Sequence, residues 1–307
     1  MPYAFKDLHW ARDIRVNEYL LPKTTAEALE MLAEYQGRAQ VVSGGTDVIP
    51  RLRKRELEVE ALVDITRLPE MDTIEQDDDQ IILGGLVTHA QVASSTLIKE
   101  KAGLLADGAA RVGSPQIRNI GTLAGNLVSG HPAADTSIPL LALNASVTIA
   151  TTEGERVVQL PQFFLEKGQT AVDCRREIVT QISFPALGKD QGDCYLRLSK
   201  RRALTIAILV LAAVVDVDPE QKVFRDAAIA LGPVAPIPFR ARHTEEMLKG
   251  APVSKETVEM AADNAFAEVT PISSVIWGSY EYKREMVKVF VRRGLHRALE
   301  RAGCPVA

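Results

Sequence analysis

The spacing of apolar residues changes several times along the chain, and each change predicts an element. In "ALEMLAEY", residues 28–35, apolar positions recur at helical spacing. Thr24 precedes it with Glu27 three positions on, the spacing of a capping box, so a helix starts near Thr24. "AQVVSGGTDVIP", residues 39–50, reads as a short apolar run, a Gly-Gly turn and a helix. "ALVDITRL" and "QIILGGLV" read as strands, with Asp77, Asp78 and Asp79 as a polar turn between them. Thr88 is placed to cap a helix through "HAQVASS", and "KEKAGLLADGAARV" continues as helix. "ASVTIATTEGERVVQL" alternates on both sides of Glu153 and Gly154, the pattern of a hairpin. "EIVTQISFP" is a further strand, stopped by Pro185.

The polar segment "GKDQGD", residues 188–193, is the best candidate for a domain boundary, because apolar elements flank it. Beyond it, the most apolar run is Ala203 to Val217, "ALTIAILVLAAVVDV". A bilayer span needs about 20 apolar residues. This run is shorter and rich in β-branched residues, so a buried strand or strand pair is expected. Strands continue to about Leu231; "GPVAPIPFRAR" then puts three prolines into an irregular connection. Helical patterns fill the rest: "TEEMLKG", "SKETVEMAADNAFAEV" and a long segment from Tyr280 to Arg301. No repeat appears. The fold class is α+β, with a mixed front half and a smaller back half.

Composition narrows the functional classes. The chain has 307 residues, 46% hydrophobic and 25% charged, enough for two domains. A net charge of −4 lacks the basic footprint of a nucleic-acid binder. The start, "MPYAFKDLHWARDIR", has no apolar stretch, so no secretory leader is expected. Cys174, Cys194 and Cys304 are not in CxxC spacing, and three thiols cannot supply the four that an all-cysteine iron–sulfur or zinc site needs. They read as reduced cytoplasmic thiols. No metal site is expected in this chain, and iron–sulfur chemistry would have to come from another.

The candidate chemistry sits in two similar turns, Ser43-Gly44-Gly45-Thr46-Asp47 and Thr122-Leu123-Ala124-Gly125-Asn126. Glycine lets backbone N–H groups approach an anion, and Thr46 and Thr122 add donors. If the two turns converge they suit a diphosphate; taken singly, each is also a plain turn. No GxGxxG and no GxxxxGK[ST] is present, so neither a Rossmann site nor a P-loop is supported. Asp135 has two readings, an N-cap for "TSIPLLAL" or an acceptor for sugar and ribityl hydroxyls. His131 has no second histidine at metal spacing and reads as a turn residue. "RLRKRELEVE", residues 51–60, reads as a solvated helix face. Arg197 stands among apolar neighbours and points inward, whereas Lys200, Arg201 and Arg202 belong to the surface.

The ordered set "VVSGGTDVIP", "IRNIGTLAGNLVSGHPAADT", "EIVTQISFP", "YLRLSKRR", "LGPVAPIPFRAR" and "GSYEYKREMVKVFVRR" resembles the FAD-binding medium subunit of the molybdenum hydroxylases. That family includes the flavin subunits of xanthine, carbon monoxide and nicotinate dehydrogenases. The resemblance implies a two-subdomain FAD-binding domain over 1–187, of the vanillyl-alcohol-oxidase-like type. Behind it, over 191–303, it implies a C-terminal domain of CO dehydrogenase flavoprotein type, a three-stranded sheet with helices. It implies non-covalent FAD, held by Val42, Ser43, Gly44, Gly45, Thr46 and Asp47 and by Thr122, Ala124, Gly125 and Asn126. Asp135 matches the aspartate of the family's P-x-x-D segment. Val179 matches an apolar contact to the flavin, and Tyr195 and Arg197 fall where members place an aromatic and a lysine. Ala124 stands where the pattern usually has glycine. The implied activity is oxidoreductase, with no catalytic side chain called for in this chain. Electrons would pass from a large molybdopterin subunit through [2Fe–2S] clusters of a small subunit to FAD, and then to NAD⁺ or another acceptor. The implied assembly is a cytoplasmic dimer of heterotrimers. The rival is a free-standing flavin oxidoreductase of the same fold, which would need its own substrate pocket.

Overall fold

The computed structural model describes residues 16–274 and 278–306. The leader expectation concerns residues 1–15 and lies outside them.

Two sheets make the front half. In the first, strands Glu18–Leu20, Ala61–Asp64 and Ala39–Val42 run parallel, with Ala61–Asp64 in the centre. All four residues of that central strand are buried, as expected of a parallel strand covered on both faces. Helix Thr25–Glu34 covers one face with Ala28, Leu29 and Leu32. Thr24 caps it, accepting from Glu27 N at 3.1 Å. The Glu27 carboxylate reaches back one residue further than a capping box requires, to Lys23 N at 2.6 Å.

The second sheet is antiparallel, in the order Ile74–Asp77, Gln80–Gly84, Ile178–Pro185, Ser146–Thr151, Gly154–Gln159. The hairpin around Glu153 and Gly154 forms as its alternation predicts. Ile74–Asp77 was not legible as a strand: it is an edge strand whose last three residues are exposed, so it has no apolar face to read. The turn is Asp78 and Asp79, with Asp77 closing the strand, and this strand rather than 61–64 pairs across it.

Two further expectations are corrected. The segment 99–112 is not one helix: Thr96–Lys101 and Gly103–Ala109 meet at Ala102, whose φ of −160° breaks the helical path. "RLRKRELEVE" is helical only to Arg53, in helix Val48–Arg53; Arg55 then turns at φ +58°, and Leu57 and Val59 enter a core. Its charged residues are largely solvated, but mostly on a turn rather than a helix face.

The back half carries a four-stranded antiparallel sheet, Gln191–Leu198, Leu209–Asp218, Val223–Gly232 and Phe239–Arg240. The resemblance implied three strands; the fourth forms within the segment expected to be an irregular connection. Prolines lack the N–H a ladder needs, so pairing waits until Pro238 is passed, and only Phe239 and Arg240 join. The apolar run explains itself here. Along Leu209–Asp218, Val210, Ala212 and Val214 face the core of the front half. Leu209, Leu211, Ala213 and Val215 face the helix Tyr280–Arg301, on which helix Lys255–Glu268 packs in turn. The strand is buried on both faces, so it lost the polar alternation usual for antiparallel sheets.

A buried carboxylate also ties the halves together. Asp193 accepts from Leu104 N at 2.6 Å, on the front half, and pairs with Arg301 of the C-terminal helix. No helix among the described residues is long and apolar enough to cross a membrane.

Candidate functional site

The two turns meet. Strand Ala39–Val42 ends in Ser43, the chain turns through Gly44 and Gly45, and helix Val48–Arg53 follows. Thr122 caps helix Leu123–Val128, its hydroxyl accepting from Gly125 N at 3.1 Å. Ser43 Oγ lies 3.1 Å from that same Thr122 Oγ1, so hydroxyls of both turns share one hydrogen-bonded cluster. Asn126, at the far side of the second turn, accepts from Thr136 Oγ1 at 2.6 Å, which links it to the Asp135 segment.

The glycines have different tasks. A Cβ on Gly44 would lie 1.9 Å from the carbonyl oxygen of Ile120, so Gly44 is small because the second turn is seated against it. The expected reason, ligand approach, applies to the cradle the docking builds rather than to Gly44 itself. Gly45 has φ +67°, a conformation L side chains rarely adopt.

The docked turns form one wall of a cleft of about 300 Å³, lined also by Val179, Ile117, Cys174 and His89. A second cleft of about 630 Å³ adjoins it and contains His131 and Asp135. Asp47, Arg51, Val112, Asn126 and Ser129 line both, so the two form a continuous groove. Val42 is buried among Leu52, Leu57, Val59 and Leu62 and does not line either cleft. His131 is a turn residue, as expected: its Nδ1 accepts from Ala133 N at 3.1 Å.

Asp135 is not an N-cap. Helix Ser137–Ala142 is preceded by Thr136 and has no side-chain cap bond. The Asp135 carboxylate instead accepts two bonds on Oδ1, from Tyr195 OH at 2.6 Å and Arg197 Nε at 2.7 Å. Arg197 Nη2 donates onward to Thr205 O at 2.5 Å. Arg197 does point inward, its side chain 7% exposed. Burial raises the Asp135 carboxyl, and the bonds from Arg197 and Tyr195 oppose that rise. Burial and then the Asp135 charge push the Tyr195 phenol well above its ordinary value, so it stays a donor. Tyr195 and Arg197 line neither cleft; they stand behind Asp135 and fix it at the edge of the second.

Sequence reasoning missed His89 and Arg51. Arg51 sits in a charged run that reads as surface, and only the fold brings it to the wall common to both clefts. His89 is nearly enclosed, and its Nδ1 has no hydrogen-bond partner. Burial, reinforced by the Arg118 charge, lowers its pKa from 6.5 to about 4. In the unfolded chain the ring protonates below its ordinary value; in the fold it stays neutral until about 4. Stability from this group is therefore complete above 6.5 and is lost as pH falls toward 4. Between about pH 7 and pH 5 the loss should be about 2 kcal/mol, and His89→Leu should lack it. Urea unfolding of both proteins across that range checks this; parallel pH profiles would contradict it.

The donor set suits FAD: serine and threonine hydroxyls, turn amides, a cation at Arg51 and a buried histidine without a partner, arranged along a groove rather than a single pocket. Comparison with known proteins agrees. Residues 12–187 match the family described as the FAD binding domain in molybdopterin dehydrogenase, and residues 194–298 match the CO dehydrogenase flavoprotein C-terminal domain. The chain is 30% identical to the 6-hydroxypseudooxynicotine dehydrogenase complex subunit alpha of Paenarthrobacter nicotinovorans, over 93% of this chain and 95% of that one. It is 28% identical to the xanthine dehydrogenase FAD-binding subunit of Escherichia coli O157:H7, over 91% and 95%. Among solved structures, carbon monoxide dehydrogenase from Hydrogenophaga pseudoflava, in a form lacking the Mo-pyranopterin moiety of its cofactor, superposes with a TM-score of 0.87 at 30% identity, covering 93% of this chain and 98% of that chain. This chain thus belongs to the FAD-binding subunits of the molybdenum hydroxylases, with the FAD binding domain of the molybdopterin dehydrogenases in front and the CO dehydrogenase flavoprotein domain behind.

Proposed function

We propose that this chain carries electrons between a [2Fe–2S] subunit and an external acceptor, NAD⁺ or another, within a cytoplasmic molybdenum hydroxylase assembled as a dimer of heterotrimers. A large molybdopterin subunit would oxidise the organic substrate. The division of labour would be 1–187 for FAD and 191–303 for the C-terminal domain. The observation that carries the proposal is the seating of the Gly44 turn against Ile120, sealed by the Ser43–Thr122 bond, on the wall of one polar groove. FAD, when bound, supplies the redox chemistry itself, accepting and releasing electrons.

The protein's part is binding and orientation. Ser43 to Asp47 and Thr122 to Asn126 would hold the diphosphate, with Arg51 offsetting its charge. Asp135, fixed by Tyr195 and Arg197, would accept from hydroxyls in the second cleft. Val179 would place an apolar wall against the flavin ring. None of these roles asks a side chain of this chain to act as an acid or a base, because FAD carries the redox chemistry.

Two turns imply two phosphates. The purified chain should be yellow and should release FAD on denaturation, identified by chromatography of the supernatant. Release of FMN, which has one phosphate, would contradict the diphosphate assignment. Failure to take up any flavin on reconstitution would remove the flavin-subunit reading.

A further inference from the structure

His89 lines the first cleft without serving any protein group there. It is 2% exposed, its backbone N–H is committed to Gly121 O at 3.0 Å, and Nδ1 is buried with no partner. Such an atom is destabilising unless something completes it. Among the described residues Ser137 Oγ shares this state, and Ser137 lines neither cleft.

The ring does not stand alone. From the point where a Cβ on Gly121 would sit, Ile117 O, already accepting from Gly121 N, is 3.0 Å away, His89 Cδ2 3.5 Å and Thr46 Oγ1 3.7 Å. An imidazole edge and a hydroxyl from the other turn therefore converge at the seam between the turns. A half-turn about χ2 exchanges Nδ1 and Cδ2 within one ring outline and brings Nδ1 to that seam. Burial and Arg118 hold the ring uncharged at neutral pH, so it offers one N–H donor and one acceptor.

Building on the flavin-subunit reading above, we propose that His89 is a further FAD-binding residue, its ring donating a hydrogen bond beside Thr46 Oγ1 to an oxygen of the diphosphate. The diphosphate presents acceptors only, which selects donation over acceptance. The buried nitrogen then gains the partner that no protein group gives it.

The test uses the full chain stripped of flavin and titrated with FAD, read by flavin fluorescence. His89→Leu should weaken binding about tenfold, as for one lost hydrogen bond to a charged group. His89→Gln keeps an N–H and should stay within about threefold of wild type. In nitrogen-15 spectra, the His89 ring signals, identified by their loss in His89→Gln, should move on addition of FAD and not of riboflavin, which has no phosphate. His89→Leu binding FAD as tightly as wild type, ring signals that FAD leaves unmoved, or equal movement with riboflavin would each overturn the assignment. A wild-type chain that takes up no FAD would remove the flavin-subunit reading and this inference with it. Wild-type uptake with an indifferent His89→Leu removes this inference alone.

Discussion

Gly44→Ala will separate the two turns and cost the chain its cofactor. The new Cβ would lie 1.9 Å from Ile120 O and 2.6 Å from Ile120 C, both backbone atoms that no rotamer change can move. The turns must part, the Ser43–Thr122 bond at 3.1 Å must lengthen, and the donors of the cradle lose register. Overpacking of this kind costs about 1–3 kcal/mol of stability, and occasionally more. Binding should suffer more than folding. Losing two hydrogen bonds of about 1.4 kcal/mol each corresponds to about a hundredfold in the FAD dissociation constant. Gly188→Ala is the control, because only Gln191 Oε1, at 3.8 Å, would lie near its Cβ. It should leave stability within about 0.5 kcal/mol of wild type. FAD titration beside urea unfolding measures both effects. A Gly44→Ala chain with wild-type FAD affinity would show that the docked turns are not the cradle.

Arg197→Met will unfold the seam between the halves more readily than any surface charge change. It leaves the Asp135 carboxylate buried with Tyr195 as its remaining donor and strands Thr205 O. Removing one member of a buried ion pair costs about 3–5 kcal/mol, because the other charge is left uncompensated. Neutralising that charge should restore much of the loss, so the double variant Arg197→Met with Asp135→Asn should be more stable than Arg197→Met alone. The comparison is a set of urea unfolding curves for the three proteins. A loss below about 1 kcal/mol in Arg197→Met, the range of exposed pairs, would mean that the pair is solvent-screened rather than buried.

These two sites divide what was legible in the sequence from what was not. Helix starts at Thr24 and Thr88 were legible because a cap is a local device: the side chain binds an N–H three residues away. The first glycine turn was visible for the same reason, and so was the inward direction of Arg197, from its apolar neighbours. The second, expected as a turn, is instead the capped start of helix Leu123–Val128, because the Thr122 hydroxyl takes the Gly125 N–H and starts the helix there. The partner of Arg197 was not visible. Asp135 lies 62 positions away, and no local pattern ties a carboxylate in a proline-containing turn to an arginine on a later strand. The docking of Gly44 on Ile120 is of this kind too. A glycine in sequence reports that a Cβ is excluded, not what excludes it. His89 escaped notice because one histidine on a short helix carries no signal until the fold shows that its ring has no partner. The edge strand Ile74–Asp77 escaped because its exposure erased the alternation by which strands are recognised.

Under the function proposed above, this chain relays electrons and does not itself oxidise the organic substrate. Anaerobic addition of substrate, followed at the flavin absorption band, tests it most directly when the isolated chain and the assembled complex are compared side by side. The band should bleach in the complex and persist in the isolated chain. Full bleaching of the isolated chain by a purine, an aldehyde or an N-heterocycle would contradict it and make the chain a free-standing flavin oxidoreductase.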